Sequence, residues 1–426
     1  MTKLLIKNGY VFQNNEFQQT DIEVNDGNIS KIQNNLQINN QQVIDATNQY
    51  VIPGLVDVHV HFREPGFEDK ENIKTGSLAA AHGGYTTVYA MPNLNPVPDS
   101  AEKMQQMIDL NHENSVVHTE QYSSITYGRT GDDLVDFSAM IKNGAKGFSN
   151  DGSGIQSAKT MLEAMKLTKE NNTVLAAHVE DKSLMGNGVM NAGKKAESLG
   201  LPGISNLVET AQLARDIEIA RETGAHYHVC HLSTKQSVEL VRQAKKDGVN
   251  ITAEVSPHHL FLNESMIESD NAMYKMNPPL RTLEDCQAVL AGLFDGTIDM
   301  IATDHAPHTD EQKAGSMMNA AFGITGLEVS LSLLYTKLVQ PGLCSFAQII
   351  NWMSVNPAKI FKNEVAGSLE AGKPADITIF DPNQIRLVNK EEMQSKGNNT
   401  PFINHQLTGD VMLTIVSGKV VYQKNK

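Results

Sequence analysis

The sequence predicts an α/β protein: a (β/α)8 TIM-type barrel beside a small β-sandwich built from both chain ends. Three observations predict it. Between Val51 and Asp304, eight short apolar runs alternate with segments of helical periodicity. Both ends of the chain read instead as strands joined by tight polar turns. The 426 residues suit one large barrel with an accessory module.

The elements follow in order. LLIKNGYVF and DIEVNDGNISKI are strands near the N-terminus, with Asp26-Gly27 as a hairpin turn, and QNNLQINNQQ is a solvated loop. The barrel strands are expected in YVIPGLVDVHVH, YTTVYAM, SVVHTEQY, GAKGFS, TVLAAHV, AHYHVCHLS, NITAEVS and IDMIATD. Helices are expected over 69–82, 99–113, 157–171, 206–223, 234–247 and 284–295, and then over about 326–339 and 345–361. GSLEAGKPADITIFD and VMLTIVSGKVVYQ return to β, with Ser417-Gly418 as a turn. Neither terminal set can bury a core alone, so the two are expected to pair. The expected division is 1–52 and 365–426 in the sandwich and 53–364 in a catalytic barrel.

Composition narrows the function classes. Lys plus Arg number 35 against 49 Asp plus Glu, a net charge of -14, which argues against nucleic acid and anionic membrane as partners. Cys230, Cys286 and Cys344 are widely spaced and odd in number, which points away from a disulfide framework and towards a reducing cytoplasm. MTKLLIKNGYVFQNN is too short in its apolar run for a signal peptide, and no stretch is long and apolar enough to span a membrane. A cytoplasmic enzyme acting on a small molecule is the expectation.

The sharpest chemical signal is Asp57-Val58-His59-Val60-His61 on the first barrel strand. Strand side chains alternate faces, so Asp57, His59 and His61 share one face. Two imidazoles there are hard to satisfy without a metal. Functional groups of such barrels lie at the C-terminal strand ends, and those ends offer Asp151, His178, His231 and Asp304. Four His and two Asp exceed the needs of one ion; two ions sharing a carboxylate accommodate them all. His226, His228, His258, His259 and His305 read as structural by their positions, and His82, His112, His118 and His405 lack supporting context.

DVHVHFREPG (57–66) and ATDHAPHTDEQK (302–313) resemble the two signature motifs of the dihydroorotases, cyclic amidohydrolases of the amidohydrolase superfamily. The patterns are D-x-H-x-H-x-R-x-P-G and (G/A)-(S/T)-D-x-A-P-H-x4-K. GYTTVYAMPN (84–93), MNPPLR (276–281) and GSLEAGKPAD (367–376) are similar to further segments of the family, and the likeness is greatest to its long bacterial class, class I. The resemblance implies two zinc ions per subunit: one on His59, His61 and Asp304, the other on His178 and His231. Asp151 would bridge them, with a carboxylated Lys146 as the competing bridge. It implies substrate contacts from His61, Phe62, Arg63, Asn93, Asn277 and His308, and from backbone near Phe322 and Gly323.

The implied reaction is the reversible cyclisation of N-carbamoyl-L-aspartate to (S)-dihydroorotate and water, the third step of UMP biosynthesis. Asp304 would be the proton carrier. A homodimer, and association with aspartate transcarbamoylase, are the implied partners. Physics supports part of this: Arg63 follows His61 by two residues, and its planar fork suits a substrate carboxylate. Allantoinase or dihydropyrimidinase activity is the alternative, and neither substrate carries that carboxylate. An inactive homologue serving aspartate transcarbamoylase would lack ligands that are all present here; a metal-free binding module is the remaining alternative. The polar segment APHTDEQKAGSMMN (306–319) is expected to act as a mobile lid.

Overall fold

The structure, a computed structural model, describes residues 3–424. Eight strands form a parallel sheet in chain order: Leu55–Val60, Tyr85–Ala90, His118–Ser123, Ala145–Phe148, Val174–Ala177, His226–Val229, Ile251–Val255 and Met300–Ile301. A parallel bridge between Val60 and His305 joins the last run to the first, and the His61 amide donates to the His305 carbonyl at 3.0 Å. Asp57, fully buried, adds a side-chain clasp across the same seam by accepting from the Thr303 amide at 3.1 Å. The sheet is thereby drawn into the expected barrel.

Helices pack outside it, and their starts are encoded locally. Asn72, Ser100, Ser157 and Thr234 each accept a hydrogen bond from a backbone N–H three residues ahead, and Thr282 with Asp285 forms a reciprocal capping box. Polar caps thus begin five of the helices that face the barrel with apolar residues.

The two chain ends meet in one eight-stranded sheet. Its order is Lys419–Gln423, Gln406–Val416, Ile377–Leu387, Tyr50–Pro53, Lys3–Gln13, Glu16–Asn25 and Asn28–Gln33, with Gln42–Asp45 also against Lys3–Gln13. The junction between the halves is Tyr50–Pro53 running antiparallel to Ile377–Phe380. Leu4, Ile6, Val11, Ile22, Val24, Val51, Ile377, Ile379, Leu413 and Ile415 pack together as its buried core. At the predicted Asp26-Gly27 turn both residues have positive φ, +50° and +85°, as a two-residue hairpin loop of the I′ type requires.

Three differences from the sequence reading have physical causes. YVIPGLVDVHVH is two strands, one in each sheet, separated at Gly54, where a Cβ would lie 2.0 Å from Thr86 Oγ1. The C-terminal helices contain wide turns at Tyr335–Val339 and Asn351–Val355; the second ends two residues before Pro357, which has no N–H to give an ordinary helix. A short helix, Phe137–Lys142, capped by Asp136, lies where no helix was expected. Among the described residues no helix is long and apolar enough to cross a membrane.

Ile379 is 1% exposed at the junction of the two chain ends. Ile379→Ala is expected to destabilise the fold by about 2–4 kcal/mol. Urea denaturation should show the lower midpoint, with the metal content of the folded protein unchanged.

Candidate active site

The six ligand candidates stand at or beyond the C-terminal ends of five barrel strands. His59 lies on the first strand and His61 just past it; Asp151, His178, His231 and Asp304 follow the fourth, fifth, sixth and eighth. All six are buried. The first strand is not regular, since its register slips between Asp57 and Val60, yet both imidazoles still converge. Arg63, His231 and Asp304 have φ of +64°, +34° and +47°, left-handed conformations that cost side-chain-bearing residues energy and cluster at functional sites.

The spacing of the ligand atoms is that of metal ligands. Atoms about 2.0–2.1 Å from a tetrahedral ion lie about 3.3 Å from one another. Asp151 Oδ1 is 3.3 Å from His59 Nε2, 3.5 Å from His178 Nδ1 and 3.6 Å from His231 Nε2, while its Oδ2 is 3.4 Å from His61 Nε2. Asp304 Oδ1 is 3.3 Å from His59 Nε2 and 3.0 Å from His61 Nε2. Asp151 thus belongs to two groups, one with His59 and His61 and one with His178 and His231. His59 Nε2, Asp151 Oδ1 and His231 Nδ1 are buried without a hydrogen-bond partner. Buried polar atoms rarely stay unpaired, so these residues fit a cation.

The electrostatics point the same way. Burial alone would push the His59 imidazolium down, but Asp151, Glu254 and Asp304 outweigh it and hold its pKa well above the usual value. Burial would raise Asp151, yet His59, His178 and His231 hold it well below the ordinary carboxylate range, and Asp304 is likewise held low by His59, His61 and His231. The cluster therefore calls for positive charge, which divalent ions supply without protonating the ligands.

A second layer aims these side chains, and the sequence reading missed its two carboxylates, Glu254 and Glu180. His59 Nδ1 meets Glu254 Oε1 at 2.6 Å and His61 Nδ1 meets Asn93 Oδ1 at 2.9 Å, so both rings direct Nε2 to the centre. The same Glu254 oxygen accepts the His231 amide at 3.2 Å, and its partner oxygen faces His228 Nε2 at 3.1 Å. Glu180 Oε2 lies 3.3 Å from His178 Nε2 and accepts from Asn277 Nδ2 at 2.6 Å. Glu180 follows His178 at strand spacing and could have been read from the sequence; Glu254 shows no local pattern. Arg129 donates to the Asp151 and Asn150 carbonyls, fixing the turn that presents Asp151.

A cavity of about 190 Å³ opens over the cluster, lined among others by Arg63, Asn93, Asn277, His308, Phe322 and Gly323. Arg63, 9% exposed, donates only to the Pro307 carbonyl at 3.4 Å; His308 Nε2 lies 3.4 Å from its Nη2 without accepting from it, and Arg63 forms no ion pair among the described residues. Burial draws its pKa down to about 10, so it remains a cation at neutral pH. Burial and the neighbouring Arg63 draw His308 down to about 3, and its Nε2 donates to the Phe322 carbonyl at 2.8 Å.

Two candidates stand elsewhere. The Phe62 ring is 2% exposed and packs against Gly76 in the core, so it does not line the cavity. The Lys146 side chain is half exposed and pairs with Glu120 at 3.7 Å, facing away from the ligand cluster. His258 and His259 are buried and both are held below the usual imidazole value by burial; His259 bonds Ser256 and the Pro278 carbonyl, whereas neither ring nitrogen of His258 has a partner. Within the expected lid segment, Lys313 and Met317 are buried anchors.

A closed eight-stranded barrel with a His/Asp cluster over the C-terminal ends of its strands defines a metal-type amidohydrolase, an enzyme of cyclic amide hydrolysis. The comparisons refine the class. The family described as "Dihydro-orotase-like" matches residues 48–237, and that described as "Amidohydrolase family" matches 248–422. A curated dihydroorotase of Pediococcus pentosaceus is 57% identical over 422 residues, and one of Ligilactobacillus salivarius is 55% identical over 425, each covering 99% of both chains. Among solved structures, L-hydantoinase (dihydropyrimidinase) from Arthrobacter aurescens superposes with a TM-score of 0.89 at 25% identity, covering 100% of this chain and 97% of its own. D-hydantoinase from Thermus sp. gives 0.84 at 26%, covering 99% and 97%. The chain belongs to the dihydroorotase family.

Because Glu254 sets the His59 tautomer, Glu254→Gln is expected to weaken metal binding by about 10–100-fold. Competition with a chromophoric chelator measures it; unchanged affinity would show that Glu254 does not position His59.

Proposed function

We propose that the protein is a dihydroorotase that interconverts N-carbamoyl-L-aspartate with (S)-dihydroorotate and water, the third step of pyrimidine biosynthesis. It would use two zinc ions, one on His59, His61 and Asp304 and the other on His178 and His231, with Asp151 shared. Residues 53–364 would form the catalytic barrel, and 1–52 with 365–426 the sandwich that supports it. The observation that carries the reading is Arg63: a buried guanidinium at the cavity wall with no carboxylate of its own. Dihydroorotate brings one carboxylate outside its ring, and a bidentate contact suits both groups. Asn93, Asn277 and His308 would complete the polar wall, while Phe322 and Gly323 offer backbone groups to the ring amides.

When bound, the cations supply water activation and polarise the scissile carbonyl. Asp304 faces the imidazoles through Oδ1 and lines the cavity, and these contacts leave its Oδ2 unused. That oxygen would take a proton from the attacking water and return it to the departing ring nitrogen. In the biosynthetic direction the ureido nitrogen closes on the side-chain carboxylate as one of its C–O bonds breaks, and Asp304 would carry the proton from that nitrogen to the departing oxygen, which leaves as water. The resemblance to the long bacterial class also supports a homodimer and makes aspartate transcarbamoylase the partner to test.

The structural neighbours favour one second reading, hydrolysis of a neutral ring such as dihydrouracil. Arg63 opposes it, because a neutral ring leaves the guanidinium unpaired.

Ultraviolet monitoring should show hydrolysis of dihydroorotate, its loss on chelation and its return with zinc, and little turnover of dihydrouracil or allantoin. Arg63→Met should lower kcat/KM for dihydroorotate by about 10–100-fold, the worth of a charge-assisted hydrogen bond. Faster turnover of dihydrouracil than of dihydroorotate would replace the proposal with the second reading. Asp304→Asn should lower kcat by about 10²–10⁴-fold with the metal retained; a rate near wild type would remove Asp304 from proton transfer.

A further inference from the structure

Lys313 is anomalous for a polar loop. It is 5% exposed, and its Nζ donates to three backbone carbonyls: Lys275 at 3.1 Å, Ala321 at 3.0 Å and Gly323 at 2.9 Å. Three acceptors use all three N–H bonds of an ammonium. No carboxylate compensates it among the described residues; burial, reinforced by the ammonium of Lys275, draws its pKa down to about 7. The three-donor ammonium form is therefore complete only below neutral pH, and it is the three carbonyl acceptors that favour that form. An unpaired buried cation is expensive, and an apolar side chain would fill the same space more cheaply. The ammonium must therefore do something packing cannot.

The three carbonyls belong to two loops that face the cavity. Lys275 precedes Met276 and Asn277, and Ala321 and Gly323 flank Phe322. Lys275 itself donates to the Ala320 carbonyl at 2.6 Å, with its Nζ 4.3 Å over the Phe322 ring. The Gly323 amide returns to the Lys275 carbonyl at 3.0 Å, and Asn399 joins the Gly323 carbonyl to that of Ala306. Gly323 has φ +152°, and a Cβ there would meet the Ala306 carbonyl at 2.6 Å, so the wall cannot shift to suit a new side chain. In a trans peptide the C=O and N–H point in opposite directions. Drawing the Ala321 carbonyl towards Lys313 turns the Phe322 N–H the other way. Lys313 lies behind this wall and does not line the cavity.

We propose that Lys313 is a positioning residue for substrate recognition: its buried ammonium clamps the 275–277 and 321–323 loops into one fixed wall, presenting backbone groups to the ring of the cyclic substrate without touching it. Such a clamp would fix the wall before substrate arrives, with Lys313 and Met317 as the buried anchors of the 306–319 segment. The proposal rests on the assignment of the cavity as the substrate site.

The test is steady-state kinetics of the zinc-loaded full chain. Lys313→Met keeps the apolar stem and removes the donors; it should raise KM for dihydroorotate by about tenfold or more while kcat stays within about threefold. In Lys313→Ala, n-propylammonium replaces the atoms lost and should lower the raised KM, whereas n-propanol should not. An unchanged KM in metal-loaded Lys313→Met overturns the proposal, as does a fall in kcat alone. If Lys313→Met does not fold, the Lys313→Ala rescue decides, and equal rescue by propanol counts against the ammonium. If the wild type hydrolyses dihydrouracil or hydantoin in place of dihydroorotate, the functional reading fails. The same KM shift, read on that substrate, then still decides the role of Lys313.

Discussion

Two carboxylates, Asp151 and Asp304, are buried within a few ångströms of the same imidazoles, and the rest of the active-site architecture answers to that constraint. Like charges in a low-dielectric pocket disfavour each other's ionised form, and each also loses its hydration. Imidazolium protons on His59 or His178 can answer this charge, but they occupy the nitrogens that face the centre. Divalent ions answer it and leave the imidazoles neutral. The buried atoms without partners, His59 Nε2 and Asp151 Oδ1, are where that positive charge would be felt.

Holding such groups together requires a scaffold that cannot relax away from them. The left-handed backbone at His231 and Asp304 costs roughly 1–3 kcal/mol per residue and persists only where surroundings over-determine it. The barrel seam provides that. Asp57 grips the Thr303 amide beside Asp304, while Glu254 joins the His59 ring to the His231 amide across three strands. Removing Glu254 would therefore disturb both lobes of the cluster at once. The terminal sheet serves the same end from outside, since Thr378 Oγ1 donates to the Gly84 carbonyl at the start of the second strand.

What the sequence made legible was whatever is encoded at strand spacing or at strand ends. His59 and His61 stood out by alternation, and Asp151, His178, His231 and Asp304 by their place after apolar runs. The eight barrel strands and most helices could be read because their patterns are local. Glu254, Arg129 and Lys313 could not be assigned roles in this way. Each acts on residues at least twenty positions away or through backbone carbonyls, and neither leaves a periodic trace. The boundary inside YVIPGLVDVHVH was hidden for a related reason. The run is apolar throughout, and only the tertiary approach of Thr86 to Gly54 shows where one sheet ends and the other begins.

The near-identity of fold with the hydantoinases, at about a quarter of the residues, locates the substrate question in the walls. Opening of a cyclic amide is, in this reading, the work of the His/Asp cluster at the strand ends. Discrimination needs a group that gains from one ring substituent and loses from its absence. A buried guanidinium without a counter-ion is such a group: a neutral ring entering the cavity would exclude the last water from Arg63 and return nothing, whereas a carboxylate would repay the desolvation. Selectivity in this reading is rejection as much as attraction, and it holds only while the cavity wall is too stiff to let a smaller ring slide away from Arg63. A rigid 321–323 wall, which meets Arg63 through His308, is therefore part of the specificity, even where it carries no charge of its own.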